Sequence, residues 1–184
     1  MPIDRALIRK TANVYAETLV EALKPTGAVF GVSGELEQIS AAIRAHTELR
    51  GTLTDRTIPG NTRTDILKEV FMGFNPILLE VLGVMVERDE VYLLSRINER
   101  YLELAEEALD SVIIDVTTVV ELDDALRDSI KKKYSAQFNR GVLLREHIDP
   151  SLVGGIVLSA HGNLIDASVN SQLENARAVL AKQW

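Results

Sequence analysis

The chain has 184 residues, of which 46% are hydrophobic, 26% are charged and only 5% are aromatic, and its formal net charge is −7. This composition is typical of a globular protein with an aliphatic core, and the acidic balance argues against nucleic acid or an anionic membrane surface as the main partner. There is no cysteine, which excludes a disulfide framework, a zinc ribbon and a thiol nucleophile. No apolar run approaches the ~18 residues that a membrane span needs, so we expect no direct membrane insertion.

The first predicted element is a helix over residues 4–24, with Asp4 as its cap and Pro25 and Gly27 ending it. We expect no secretory signal here, because the N-terminal residues lack the apolar h-region of such a signal. Its core stripe has helical spacing and consists of Ile8, Ala12, Tyr15, Leu19 and Leu23. A second, less polar stripe lies beside the first and consists of Leu7, Thr11, Val14 and Thr18. A helix that is apolar over so much of its circumference is either central or shared with a partner.

Five further helical segments are predicted before residue 110. They are a helix over residues 35–45, a short turn around residues 49–53, a helix capped by Thr62 or Thr64, a helix after Pro76, and a long helix over residues 90–109. Strand signals are almost missing from this half. Residues 1–109 are therefore predicted to form an N-terminal six-helix bundle.

The character of the sequence changes at Asp110. Residues 112–120 are rich in Val, Ile and Thr and predict a strand. Asp123 caps the next predicted helix, Gly141 closes it, and residues 142–148 form a second strand. A hairpin of residues 155–160 and 164–167 follows, and Ser168 caps a final helix. Residues 110–184 are therefore predicted to form a small C-terminal α/β domain.

Catalytic motifs are weak. Gly154 and Gly155 are not followed by a helix start that could bind phosphate, so they are interpreted as residues that allow positive φ or close backbone packing. The run Gly31-Val32-Ser33-Gly34 fails the nucleophile-elbow pattern and is interpreted as a loop or cap.

Metal-binding and acid–base sites are equally unsupported. Glu146 and His147 are adjacent on a predicted strand, so their side chains point to opposite faces and do not converge with Asp149 on a metal. Asp166 and Ser168 lie between a strand and a helix without a histidine base nearby, which favours a structural role. No cofactor is predicted.

Several motifs resemble the delta subunit of rotary ATP synthases, whose mitochondrial relative is the oligomycin-sensitivity-conferring protein. The resemblance covers the whole chain. Weak matches are Tyr15-Ala16 with Leu19, then Glu87-Arg88 with Tyr92-Leu93, and the run from Val116 to Leu122. The specific matches are Asp149-Pro150-Ser151-Leu152-Val153-Gly154-Gly155 and Asp166-Ala167-Ser168-Val169, with Ala167 where the family commonly has glycine.

The resemblance implies a non-catalytic stator subunit in the peripheral stalk of the proton-translocating ATP synthase, present once per complex. Its N-terminal bundle would bind the N-terminal helix of an α-subunit, and its C-terminal domain would bind the C-terminal ends of the b subunits. Mapped onto this sequence, the α-subunit site selects Tyr15, Thr18, Leu19, Leu78 and Leu82. The structural positions of the family motif are Asp149, Gly154, Gly155, Asp166 and Ser168. The expected location is the cytoplasmic face of a bacterial plasma membrane, where the chain would be a peripheral component.

Two alternatives remain open on the residues alone. One is a small α/β enzyme with a site near Gly154, Gly155 and Asp166, although it would need a base, nucleophile or metal. The other is a helical adaptor unrelated to energy conversion. The sequence leaves open the residues that touch the b subunits.

Overall fold

The computed structural model describes residues 5–160 and 163–181. The chain divides into two compact units, Met1–Leu109 and Asp110–Trp184. The first is helical and the second combines helices with a sheet, so the expected mixed α/β class is confirmed. The predicted cap Asp4 lies outside the described residues.

The described part of the first unit contains α-helices of very different length. They are α1 (Arg5–Leu23), α2 (Val29–Ala45), α3 (Thr47–Thr54), α4 (Gly60–Val70), α5 (Pro76–Glu87) and α6 (Leu94–Leu109). Single 3-10 turns follow α1 at Lys24–Thr26 and precede α6 at Val91–Leu93. The long helix predicted from residue 90 therefore begins with a 3-10 turn.

Apolar faces of α1, α2, α5 and α6 form the core of this unit. α1 buries Leu19 and Leu23, and α6 buries Ile97 and Tyr101. The Tyr101 hydroxyl donates a 2.8 Å hydrogen bond to the carbonyl oxygen of Val29 at the start of α2. That bond satisfies a buried polar group that would otherwise cost free energy.

Two predicted helix starts are wrong. α2 begins at Val29, not at residue 35, so Gly31, Ser33 and Gly34 lie inside a helix. Ser33 is buried and its hydroxyl donates to the carbonyl oxygen of Phe30 at 2.6 Å. Packing of Val29 and Val32 in the core outweighs the low helix propensity of the glycines.

The start of α4 also differs from the prediction. α4 begins at Gly60, directly after Pro59, and neither Thr62 nor Thr64 caps it. Thr64 is buried instead, and its hydroxyl donates to the carbonyl oxygen of Gly83 in α5 at 3.2 Å. The threonine therefore joins two helices where the sequence pattern indicated a cap.

The second unit is a four-stranded mixed sheet with two described helices. Its elements are β1 (Ser111–Thr118), α7 (Asp124–Phe138), β2 (Gly141–Ile148), β3 (Ile156–Ala160), β4 (Asn163–Asp166) and α8 (Val169–Ala181). The strand order is β2-β1-β3-β4. β1 pairs with β2 in parallel, from Ser111 opposite Gly141 to Thr118 opposite Ile148. β1–β3 and β3–β4 are antiparallel pairs.

One face of this sheet packs against α7. Alternate residues of β1 point to the same face, and the core cluster contains Val112, Ile114, Val116, Leu122, Ile130, Tyr134 and Leu158. The predicted cap of α7 is confirmed, because the Asp123 carboxylate accepts from the backbone N–H of Leu126 at 2.6 Å.

The predicted end of α7 is wrong. The helix closes at Asn139, which has φ 52° in the left-handed region, and Gly141 is already the first residue of β2. Asparagine adopts this conformation more readily than most non-glycine residues, so it serves as the C-cap here.

Candidate functional site

Tyr15 lies on the side of α1 that faces the end of α5. Its hydroxyl donates a 2.5 Å hydrogen bond to Oε2 of Glu90. Burial and this contact with a carboxylate raise the pKa of Tyr15 to about 12. The phenol is therefore protonated and held in place at neutral pH. Glu90 in turn lies 3.4 Å from Nε of Arg88.

Three of the residues mapped to the α-subunit site are core residues. Leu19 and Leu78 are 0% exposed and Leu82 is 2% exposed. The chain's own packing encloses these three side chains, and their assignment to the α-subunit site stays a prediction. Their helical spacing places them on the inner faces of α1 and α5, where they stabilise the unit and set the position of the outer stripes.

The outer stripe of α1 is apolar and open. Leu7 is 62% exposed and Val14 is 60% exposed. Thr18 is exposed as well, and its hydroxyl donates to the carbonyl oxygen of Val14 at 2.7 Å. Because that hydroxyl is satisfied within its own helix, Thr18 needs no polar partner.

α5 contributes a matching outer stripe that the sequence analysis missed. Ile77 and Val81 are half-buried and Val84 is 45% exposed. Their spacing of four and three residues puts them on one face of the helix. α1 packs against α5, so the two stripes lie on neighbouring helices. The helical spacing of apolar residues, which predicted the second stripe of α1, would also have predicted this stripe of α5.

The C-terminal motif builds a turn rather than a reactive site. Gly155 has φ +88°, and a Cβ at this position would overlap the carbonyl oxygen of Ala167 and the Cα of Ser168. Next to it, the N–H of Val169 donates to the carbonyl oxygen of Gly154 at 3.0 Å. The interpretation of the glycine pair as a close-packed turn is confirmed, with Gly155 as the residue that requires glycine.

Asp166 and Ser168 fix the start of α8. The Asp166 carboxylate accepts from the N–H of Ser168 at 2.8 Å and from the hydroxyl of Ser171 at 2.5 Å. Ser168 accepts from the N–H of Ser171 at 3.3 Å, which makes it the predicted cap. These hydrogen bonds, that of Ser171 foremost, lower the pKa of Asp166.

The first specific motif contains a similar local turn. The Asp149 carboxylate accepts from the N–H of Ser151 at 2.9 Å. The pKa of Asp149 is lowered by its hydrogen bonds with Ser151. Both motif aspartates are thus held as carboxylates by neighbours in sequence, which is the chemistry of capped turns and not that of an acid–base catalyst.

The prediction that the side chains of Glu146 and His147 lie on opposite faces of the sheet is confirmed. Glu146 accepts from Nε of Arg127 in α7 at 2.6 Å, and this contact lowers the pKa of Glu146. His147 lies on the other face of the sheet, where its Nε2 is 3.5 Å from the Asp115 carboxylate.

Comparison with known proteins identifies the family. Residues 11–180 match the family model described as ATP synthase delta (OSCP) subunit. This chain belongs to that family.

Relatives in bacteria match over nearly their full length. The ATP synthase subunit delta of Synechococcus sp. (strain JA-3-3Ab) is 28% identical over 182 residues, which cover 97% of this chain and 100% of the relative. The subunit delta of Lactobacillus delbrueckii subsp. bulgaricus is 30% identical over 177 residues, which cover 94% of this chain and 97% of the relative. A chain in the Toxoplasma gondii mitochondrial ATP synthase hexamer shares the fold, with TM-score 0.51 and 18% identity over 92% of this chain and 97% of that one.

The family assigns the general function. The chain is a peripheral-stalk subunit of an F-type ATP synthase, and the family is structural rather than catalytic. The enzyme and the unrelated adaptor, both left open by the residues, are therefore overturned. In the described ranges 5–160 and 163–181, no helix is both long and apolar enough to cross a membrane.

Proposed function

We propose that the first unit, acting as a six-helix bundle, binds the N-terminal helix of one ATP synthase α-subunit, and that the second unit binds the C-terminal ends of the b-subunit helices. One copy per complex would then connect the catalytic head to the stalk, as a peripheral component on the cytoplasmic face of a bacterial plasma membrane. Such a connection would keep the head from turning with the rotor.

The observation that carries the α-subunit proposal is the pair of open apolar stripes on α1 and α5. Leu7, Val14 and Val84 are each 45% exposed or more, although their helices also bury complete apolar faces. Two adjacent helices with outer apolar stripes form the type of groove that accepts the apolar face of a third helix. The Tyr15–Glu90 hydrogen bond lies at the same side of α1 and would hold the two groove walls together.

Calorimetry with the full chain and a synthetic peptide from the N-terminus of the α-subunit tests this site. Val14→Asp and Val84→Asp should each weaken binding at least tenfold, since each places a charge in the apolar contact. Val70→Asp is the matched control, because Val70 is a valine on α4 with 53% exposure. Leu82→Asp is unsuitable because a charge in the core would unfold the unit.

Two results would contradict the α-subunit site. One is the absence of peptide binding by a folded chain. The other is an equal loss of affinity in the Val70→Asp control, which would mean that the effect is due to charge and not to the groove.

A cavity in the second unit supports the b-subunit proposal. Its volume is about 460 Å³, and it lies where β1 ends and β3 begins, between Leu122, Leu126 and the turn at Gly154. At its edge, Val120 is 70% exposed and Val153 is 71% exposed. Two exposed apolar side chains beside one cavity support the proposal that the b subunits bind here.

Binding of the chain to a purified fragment that comprises the C-terminal end of the b helices tests this surface. Val153→Asp should weaken binding at least tenfold. Leu164→Asp, at a residue of β4 that is 66% exposed and outside the cavity lining, should leave binding within twofold. Equal affinity of the two variants would contradict this placement of the interface with the b subunits.

A further inference from the structure

A cavity of about 260 Å³ in the first unit lies between α2, α3 and the start of α6. Buried apolar side chains line part of it, namely Ile43, Val91 and Leu94. Arg44 of α2 and Arg50 of α3 line it as well, and its described lining residues include no carboxylate. The cavity therefore combines apolar surface with charge of a single sign, which is positive.

Helical spacing brings the polar groups to this cavity. Ser40 and Arg44 are four residues apart on α2, and so are Arg50 and Thr54 on α3, so that each pair shares one face of its helix. Ser95 adds a further hydroxyl from the first turn of α6. The Thr54 hydroxyl already donates to the carbonyl oxygen of Arg50 at 2.8 Å. The free polar groups are thus two guanidinium groups and the hydroxyls of two serines.

The carboxylates nearest in sequence do not neutralise the two arginines, neither of which forms an ion pair with a residue in ranges 5–160 and 163–181. Glu48 lies between them in sequence but lines a separate cavity. Asp89 is paired with Arg63 at 2.8 Å. Glu90 lies 3.4 Å from Nε of Arg88. The positive charge at the cavity is therefore left for a ligand.

Helix stability accounts for only one of these cations. Arg44 lies in the last turn of α2, where the helix dipole favours a cation. Arg50 lies outside the last turn of α3, which contains no basic residue. The charge of Arg50 is therefore explained neither by the helix dipole nor by an ion pair.

The hydroxyl of Ser40 is the strongest indication of a ligand. Ser40 is 2% exposed, and no described residue forms a hydrogen bond with its side chain. Ser33 in the same helix is equally buried, but its hydroxyl donates to the carbonyl oxygen of Phe30 at 2.6 Å. Serines inside helices usually form such a local bond, and buried polar groups are normally hydrogen-bonded. Because Ser40 lines the cavity, its free donor is available to a molecule bound there.

We propose that this cavity binds the phosphate group of a small molecule, with Arg44, Arg50, Ser40 and Ser95 as its ligands. Guanidinium groups pair with phosphate oxygens in a bidentate manner. A phosphate group carries a charge of about −1.5 to −2 at neutral pH, which two arginines balance, whereas a carboxylate would balance only one. The site goes beyond the proposed stalk contacts and shares no residue with the α1–α5 site.

The dimensions of the cavity favour a small ligand. Pockets for drug-sized ligands usually enclose about 300–1,000 Å³, and this cavity is below that range, which disfavours a whole nucleotide. The apolar side chains of Ile43, Val91 and Leu94 favour an apolar group next to the phosphate. Free inorganic phosphate and a small phosphate monoester with an apolar group are therefore the two sources to distinguish.

Titration of the full chain, followed by two-dimensional ¹⁵N NMR, tests the site. The probes are inorganic phosphate and phenyl phosphate, at neutral pH and at an ionic strength held constant with sodium chloride. Both should shift the backbone N–H signals of Ser40, Arg50 and Ser95 until saturation. Binding of phenyl phosphate that is at least tenfold tighter would identify an apolar monoester as the ligand class, and a smaller difference would identify free phosphate.

Removal of one charge supplies the second readout. Arg50→Gln should weaken the binding of both probes at least tenfold, because only one guanidinium group remains. Arg96→Gln is the matched control, since Arg96 is an exposed arginine next to Ser95 that lies outside the cavity lining. The control should keep the affinity within twofold.

Removal of the buried hydroxyl separates a ligand role from a structural one. Ser40→Ala should weaken phosphate binding at least threefold, yet it should leave the Tm without phosphate unchanged, because the hydroxyl has no partner to lose. Ser33→Ala is the matched control, since it removes a hydroxyl that is bonded within α2. The control should lower the Tm and keep the phosphate affinity within twofold.

Four results would overturn the inference. They are the absence of a saturable shift with either probe, equal losses of affinity in Arg50→Gln and Arg96→Gln, binding of sodium acetate as tight as that of inorganic phosphate, and a Ser40→Ala variant that has full phosphate affinity but a lowered Tm. The last result would mean that the hydroxyl stabilises the fold and not a ligand.

Discussion

The two units differ in how completely they enclose their large apolar side chains. In the first unit, α1, α2, α5 and α6 share a core in which Leu19, Leu36, Leu78 and Ile97 are fully buried. In the second unit, one small cluster packs between α7 and the sheet, while Val120, Val153, Leu164 and Leu173 are each more than half exposed. Small units bury a smaller fraction of their surface.

This difference indicates which unit depends more on partner subunits for its stability. The first unit has a complete core and carries its open stripes in addition to it. The second has a core that leaves much apolar surface in water, so a partner that covers this surface should stabilise it more. The following changes test that contrast, beginning with the largest expected effect.

Truncation of a core side chain should give the largest difference in stability between the two units. Leu82→Ala in the first unit and Ile114→Ala in the second should each lower the free energy of unfolding by about 2–5 kcal/mol. This loss should be a larger fraction of the total free energy of unfolding in the second unit, because that unit is smaller. Urea unfolding followed by far-UV circular dichroism, with proteolysis to report which unit opens, measures this. Equal protease resistance of the two variants would contradict the contrast.

Substitution in the glycine turn of the second unit should lower the free energy of unfolding by nearly as much. Gly155→Ala should cost about 2–4 kcal/mol, because a positive φ is combined with a clash against backbone atoms. Gly154→Ala is the matched control, since its Cβ would meet only the end of the Val169 side chain at 3.2 Å. Thermal unfolding measures both. A control that loses as much as Gly155→Ala would contradict the assignment of the strained position.

Loss of the α7 cap should have a smaller effect. Asp123→Ala removes the acceptor for the Leu126 N–H and should cost about 1 kcal/mol. Asp123→Asn should restore most of the stability, because asparagine also caps helices well. Equal stability of the two variants in urea would show that the cap contributes little.

The smallest expected effect is the change in stability of the first unit at alkaline pH. The pKa of Tyr15 is near 12 in the folded chain and about 10 when unfolded. The folded state therefore binds more protons between these values, and stability should fall as the pH rises from about 10 to 12. Tyr15→Phe should flatten this part of the curve, measured by urea unfolding at several pH values. An unchanged slope would contradict the role of the Tyr15–Glu90 hydrogen bond.

Local signals are sufficient for several positions. The sequence predicts Asp123 and Ser168 as caps, and both accept the expected backbone hydrogen bonds. It also predicts Gly155 as a turn glycine, and this residue has positive φ. In each case the physical cause lies within a few residues of the position itself, so neighbouring sequence carries it.

Two predicted element boundaries are wrong, one for a tertiary reason and one for a local reason. The pattern of the Gly31–Gly34 segment predicts a loop or cap, but α2 includes it because Val29, Val32 and Ser33 pack in the core. The sequence pattern ends α7 at Gly141, although Asn139 adopts the left-handed conformation. In the first case tertiary packing outweighs the residue preference, whereas in the second the cause is local, because asparagine adopts the left-handed conformation more readily than most non-glycine residues.

The sequence by itself determined the family, the mixed class and the motif turns, because these follow from local residue patterns and from a match along nearly the whole chain. Tertiary structure alone decided which apolar residues face water. Leu19 and Val14 belong to adjacent stripes of one helix, yet the first is enclosed and the second is open. Helical periodicity gives the relative orientation of side chains, but only the packing of neighbouring helices decides which stripe is covered.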